Sequence, residues 1–126
     1  MSISISPDLP PAALLSVTPE APAAEAARLI AARRIGAVAV QDRAGRVVGL
    51  VSEHDIVRVV ATRALGLRGL AVEEVMTAGA VTICPETTAE SAIELMRRRD
   101  LRHLPVCAAD GRLLGMVGMG DLLRPA

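Results

Sequence analysis

The chain has 126 residues, no formal net charge, a pI near 6.7, 52% apolar residues and a mean hydropathy of +0.43. That length suffices for one core, and the balanced charge argues against a general polyanion binder. Phe, Tyr and Trp are absent, which excludes base stacking on aromatic rings, and no apolar run approaches the ~18 residues of a membrane span.

In chain order, residues 1–15 carry Pro7, Pro10 and Pro11 and read as an extended lead-in, with room for a short helix at 11–15. Residues 1–6 show neither a basic start nor an apolar core, so no signal peptide is expected. Residues 16–18 predict a short strand. A helix is expected from Pro22, whose missing N–H fits a first turn, to about residue 34. Ala23, Ala26, Ala27 and Ile30 form its apolar stripe. Strands at 38–41 and 46–52 flank a turn in which Gly45 supplies positive φ. A helix at 53–64 is broken by Gly66 and Gly69, and residues 71–76 read as a short helical connector.

The order then recurs. A strand is expected at 81–84. A helix running to 99 starts at a Thr87/Glu90 capping box and carries Ala89, Ala92, Ile93 and Met96 on one face. A strand at 104–107, a turn at 109–111, a strand at 112–117 and a short helix at 119–123 follow.

This recurrence is a true repeat. Moving residues 19–58 forward by 66 positions overlays residues 85–124 without a gap. Pro19, Glu20, Leu29, Arg33, Val40, Gly45, Gly49, Val51 and Asp55 fall on Pro85, Glu86, Leu95, Arg99, Val106, Gly111, Gly115, Val117 and Asp121. The fold class expected is α+β, two tandem βαββα motifs packed about a pseudo-twofold axis. The boundaries are a lead-in at 1–15, a first motif at 16–66, a connector at 67–79 and a second motif at 80–126. Two equivalent units create two equivalent clefts, so a binding function is expected between the halves. The apolar surplus points to a buried subunit interface.

Several segments carry a family likeness. They are Gly49-Leu-Val-Ser-Glu-His-Asp55, Val75-Met-Thr77, Val81-Thr-Ile-Cys-Pro85, Arg102-His-Leu-Pro-Val106 and Gly111-Arg-Leu-Leu-Gly115. In this order and register the chain resembles a tandem pair of CBS domains, a family named after cystathionine β-synthase. The resemblance implies a regulatory module whose halves pack through their sheets and which forms a homodimer. It also implies adenosine-containing ligands, such as AMP, ATP, NAD or S-adenosylmethionine, bound in the clefts. An adenine nucleotide, AMP or ATP, is the expected regulatory ligand, and no cofactor is required.

Gly49-x-x-Ser52-x-x-Asp55 matches the family's Gly-x-x-Ser/Thr-x-x-Asp pattern. A strand meets a helix at Ser52, where free backbone N–H groups favour phosphate. The Asp55 carboxylate can accept both hydroxyls of a ribose, and the Ser52 hydroxyl can donate to a ribose or phosphate oxygen. The same spacing equally describes a helix cap. The second copy has Gly118 in place of the hydroxyl and keeps Asp121. Arg102 can fork onto phosphate, and His103 adds a pH-dependent donor. The equivalent first-copy residues start at Gly36 and carry no charge, so the two clefts differ chemically. The second is expected to prefer a phosphorylated ligand. The adenine walls must be aliphatic, with Thr18, Val38, Ile83, Leu104 and Pro105 as candidates.

Other signals are weaker. All fourteen basic residues are Arg, which fits either anion recognition or codon bias. The Arg97-Arg98-Arg99 run suits a helix C-terminus. Cys84 and Cys107 form no metal or C-x-x-C motif and are expected to be buried, unreactive thiols in a reducing cytoplasm. No Ser-His-Asp or Cys-His context supports catalysis, so no enzyme, catalytic residue or metal site is expected. Neither membrane nor nucleic acid is an expected partner, and any protein partner is unknown. The competing reading is a ligand-free dimerising interaction module.

Overall fold

The computed structural model describes residues 16–79 and 81–123. The lead-in at 1–15, its expected short helix and residues 124–126 lie outside them. Ser16–Val17 (β1), Ala37–Gln41 (β2), Val47–Ser52 (β3) and Thr77–Ala78 (β4) form a sheet in the order β1-β2-β3-β4. β1 runs parallel to β2, and the other two pairings are antiparallel. Ala23–Arg33 (α1) lies between β1 and β2, and Glu53–Thr62 (α2) follows β3. After the connector helix Val72–Val75 (α3), Ala89–Arg99 (α4), His103–Cys107 (β5), Leu113–Gly118 (β6) and Met119–Leu123 (α5) complete the second unit.

The 66-residue register of the sequence is a register of geometry. α1 and α4, β2 and β5, and β3 and β6 each start 66 positions apart. The antiparallel pairs shift register at Val40/Gln41 and again at Val106/Cys107. Both hairpin turns use a glycine in the left-handed region, Gly45 at φ 81° and Gly111 at φ 90°. Both long helices end on a left-handed residue that is not glycine, Arg34 and Asp100, each at φ 54°. The structure is thus mixed α+β, with a βαββα first unit and a second unit that repeats its helices and hairpin in the same register.

Strand alternation sorts each hairpin into two faces. Val38, Val40 and Val51 point into the first unit's own core with Ala23, Ala26 and Ile30. Leu104, Val106 and Val117 do the same in the second unit with Ala92 and Met96. The opposite faces meet at a seam, where Ala39 and Val47 of the first unit pack against Cys107, Leu113 and Met116 of the second. The seam is apolar, and burying it favours the contact between the two units.

The connector belongs to the first core. Leu67, Leu70, Val72, Val75 and Met76 all pack there. Its backbone is tied back by Ala23 N to Leu70 O (2.8 Å) and Val72 N to Ala21 O (2.8 Å). β4 was not foreseen, because two residues give no alternation to read. The strand expected at 81–84 reduces to one parallel bridge, Ile83 to Val106. The cap of α4 is Thr88, whose hydroxyl accepts from Ser91 N at 3.1 Å. Thr87 instead accepts from Cys84 N at 3.1 Å. The expected capping box is therefore displaced by one residue. Pro22 is the N-cap of α1 rather than part of its first turn.

Candidate functional site

Two strand-to-helix junctions, one per unit, carry the conspicuous polar groups. At the first, β3 ends on Ser52, which caps α2. Asp55 is only 3% exposed. Its Oδ2 accepts from Ser52 N (2.9 Å) and Ser52 Oγ (3.0 Å). Its Oδ1 accepts from Arg58 Nη2 (3.1 Å) and Thr77 Oγ1 (3.2 Å). Ser52 Oγ in turn accepts from Asp55 N at 3.2 Å. A buried carboxylate needs such partners to stay charged. Here it uses both oxygens inside the protein, and the capping reading of Ser-x-x-Asp is the one realised in this structure.

The second junction is built from the same backbone with different side chains. Gly118 N donates to Asp121 Oδ2 at 2.9 Å, the counterpart of the Ser52 bond. There is no hydroxyl, no equivalent of Thr77 among the described residues, and Asp121 is exposed. Beside it stands His103, half-buried at the start of β5, with Arg102 exposed just before it. A Cβ at Gly118 would stand 3.2 Å from His103 Cδ2 and 3.5 Å from Asp121 Oδ2. A Cβ at Gly36, in the first unit, would overlap the His103 ring. Gly36, His103, Gly118 and Asp121 therefore gather at one end of the seam. Burial lowers the pKa of His103, the carboxylates of Glu53 and Asp121 oppose that shift, and Arg102 adds to it.

The remaining expected residues lie elsewhere. Val38 and Leu104 are fully buried within the two unit cores. Ile83 is 8% exposed and belongs to the second core. Thr18 is exposed and follows β1 beyond the Val17–Val40 pair, toward the hairpin end and away from Gly36. Pro105 is buried on β5, one alternation from His103 and so on the seam-facing side. Glu53, Arg58 and Thr77 were not singled out by the sequence. Thr77 sits in the Val75-Met-Thr77 motif, but its bond to Asp55 spans 22 positions and has no local signal.

A groove of about 1010 Å³ opens at the hairpin end, lined by Arg46, Ile83, Cys84, Ser91, Arg98 and Asp110 among others. It shares no residue with the Asp121 group. Cys84 is exposed there, contrary to the buried thiol expected, because the segment after the single Ile83 bridge leaves the sheet. Cys107 is buried, and burial raises its pKa. Among the described residues no cluster of His, Cys, Asp or Glu is placed to hold a metal ion. No helix among them is long and apolar enough to cross a membrane.

Comparison with known proteins fits this geometry. The CBS domain family model matches residues 4–62 and again residues 72–125. The chain belongs to the CBS domain family. This CBS pair is 33% identical over 108 residues to an uncharacterised 17.7 kDa protein of Acidianus ambivalens, covering 86% of this chain and 64% of that protein. The chain thus spans under two thirds of that relative. A solved CBS-domain containing protein of Agrobacterium tumefaciens is 35% identical, with TM-score 0.75 and coverage of 86% and 85%. A CBS domain protein of Pyrobaculum aerophilum, solved in complex with AMP, is 30% identical, with TM-score 0.79 and 90% of each chain covered.

Proposed function

We propose that this CBS pair is a regulatory sensor of adenosine-containing ligands, of the AMP, ATP, NAD or S-adenosylmethionine class, and that the Asp121 junction is its principal binding site. The observation that carries the reading is the contrast between the two carboxylates. Asp55 is buried and fully engaged, whereas Asp121 is exposed and, among the described residues, holds one backbone bond. An open carboxylate can take the paired hydroxyls of a ribose. Arg102, exposed and without an ion pair among the described residues, can fork onto phosphate. His103 and Pro105 face the same end of the seam, where the His103 ring fills the space over Gly36 and Gly118. Binding at Ser52 and Asp55 would first have to displace Thr77 and Arg58. The AMP complex of the Pyrobaculum relative supports the ligand class.

A ligand regulates by favouring one arrangement of the units over another. No nucleophile is activated at either junction, so the role is regulation rather than turnover. The free thiols suit a reducing cytoplasm.

The test is thermal unfolding with AMP, ATP, NAD and S-adenosylmethionine, joined to mass spectrometry of small molecules released from purified protein. An adenosine ligand at 100 times its Kd is expected to add about 2.7 kcal/mol of stability. Asp121→Ala is expected to abolish the shift. If none of these ligands raises the transition and none is released, the sensor reading fails.

A second reading has its own observation. Val57 is 63% exposed and Leu123 is 64% exposed, and they are repeat equivalents on α2 and α5. A second copy of this chain laid across both helices would cover them. Such a homodimer is compatible with ligand sensing and, with both clefts empty, also describes a pure docking module for an unknown protein partner.

A further inference from the structure

His103 occupies a slot that the repeat builds only once. One wall is Gly36 of the first unit, where a Cβ would overlap the ring. The other is Gly118 of its own unit, where a Cβ would stand 3.2 Å from Cδ2 and 3.3 Å from Nε2. At the positions related by 66 residues the pair of glycines becomes Arg102 and Ser52, and the histidine becomes Ala37. The three residues that make the slot thus differ together from their counterparts. The imidazole is the titratable ring wedged between the two units, at one end of the apolar seam that holds Ala39, Leu113 and Met116. The charged groups facing it are Glu53 at the start of α2, Asp121 on α5 and Arg102 before β5.

We propose that His103 is a proton-operated wedge of the interunit seam. As neutral imidazole it fills the two-glycine slot and holds the units in the arrangement described. As imidazolium it carries a charge into a desolvated slot, and its favourable partners, Glu53 and Asp121, lie at the mouth, one on each unit. Protonation draws the ring outward and loosens the seam. The consequence for ligand rests on the reading of Asp121 given above, since an imidazolium paired with that carboxylate competes with a ribose. The consequence for the seam does not.

The sign follows from linkage. Burial lowers the folded pKa below the ordinary value near 6.5. The unfolded chain therefore binds this proton more readily, and the stability contributed by neutral His103 is present above that value and lost as pH falls through the folded pKa.

The test is a ring-proton NMR titration of the intact chain. It has two histidines, and His103→Gln assigns the ring signals between them. His103 is expected to titrate below the ordinary value near 6.5. The Met116 methyl and the Ala39 and Leu113 amide resonances are expected to shift with the His103 midpoint. Gly36→Ala evicts the ring into solvent, so in that variant the His103 midpoint should rise toward the ordinary value. In His103→Gln the seam resonances should become insensitive to pH in this range. A His103 midpoint at or above the ordinary value in the natural chain would overturn the proposal, as would seam resonances that ignore that midpoint. Repeating the titration without added ligand separates this outcome from failure of the sensor reading.

Discussion

Asp55 and Asp121 occupy the same place in the repeat and live in different electrostatic surroundings. A carboxylate with 3% exposure and side-chain donors from Ser52, Arg58 and Thr77 is a structural tie between α2, β3 and β4. Asp55→Ala is expected to destabilise the protein by about 2–3 kcal/mol, since it removes bonds to a charged acceptor and strands Thr77 and Ser52. Asp121→Ala is expected to cost no more than about 1 kcal/mol, because among the described residues it gives up one exposed bond. Urea unfolding midpoints check both, and equal losses would refute the distinction. From sequence alone, Ser52-x-x-Asp55 left both the cap and the ribose clamp open. What separates them is Thr77, brought in by the connector from 22 positions away. The cysteines teach the same lesson. Both sit in apolar sequence, yet Cys84 is exposed and Cys107 buried, since one leaves the sheet and the other ends a strand against the seam.

Among the elements, the two long helices were legible because period, cap and breaker agree over eleven residues each. Their ends were less so. Arg34 and Asp100 adopt the left-handed conformation normally given to glycine, each at φ 54°. That geometry is imposed by the turn into β2 and β5, with the Arg34 N–H closing on Ile30 O. Since a side chain in this region is disfavoured, Arg34→Gly and Asp100→Gly are each expected to raise stability by about 0.5–1 kcal/mol. A fall in the thermal midpoint of either variant would show that the turn prefers the side chain. The short elements were the ones missed or overdrawn. β4 exists because β3 offers an edge at Gly49 and Leu50, and 81–84 fails to extend as a strand beyond the Ile83 bridge. Both outcomes depend on what lies alongside.

For the whole molecule, the seam and the outer helices divide the work. The seam buries Ala39, Val47, Cys107, Leu113 and Met116. The outer helices expose Val57, Val60 at 55% and Leu123, and Leu65 in the turn after α2 is 61% exposed. Apolar side chains concentrated on equivalent faces of a repeat favour a symmetric partner. Val57→Glu combined with Leu123→Glu is expected to convert a dimer to a monomer by light scattering on a sizing column, with the circular dichroism spectrum unchanged. A natural chain that is monomeric at high micromolar concentration would remove the homodimer from the account.

The sequence by itself determined the duplication, the 66-residue register, the order of helices and strands, and the difference in chemistry between the two junctions. These are local or periodic properties, carried by residue types at fixed spacing. Tertiary structure alone decided which carboxylate is consumed, which apolar residues are core rather than cleft wall, and that Gly36 of one unit makes room for His103 of the other. Each of these depends on groups far apart in the chain meeting at a surface, and no spacing along a single strand or helix encodes who stands across the seam.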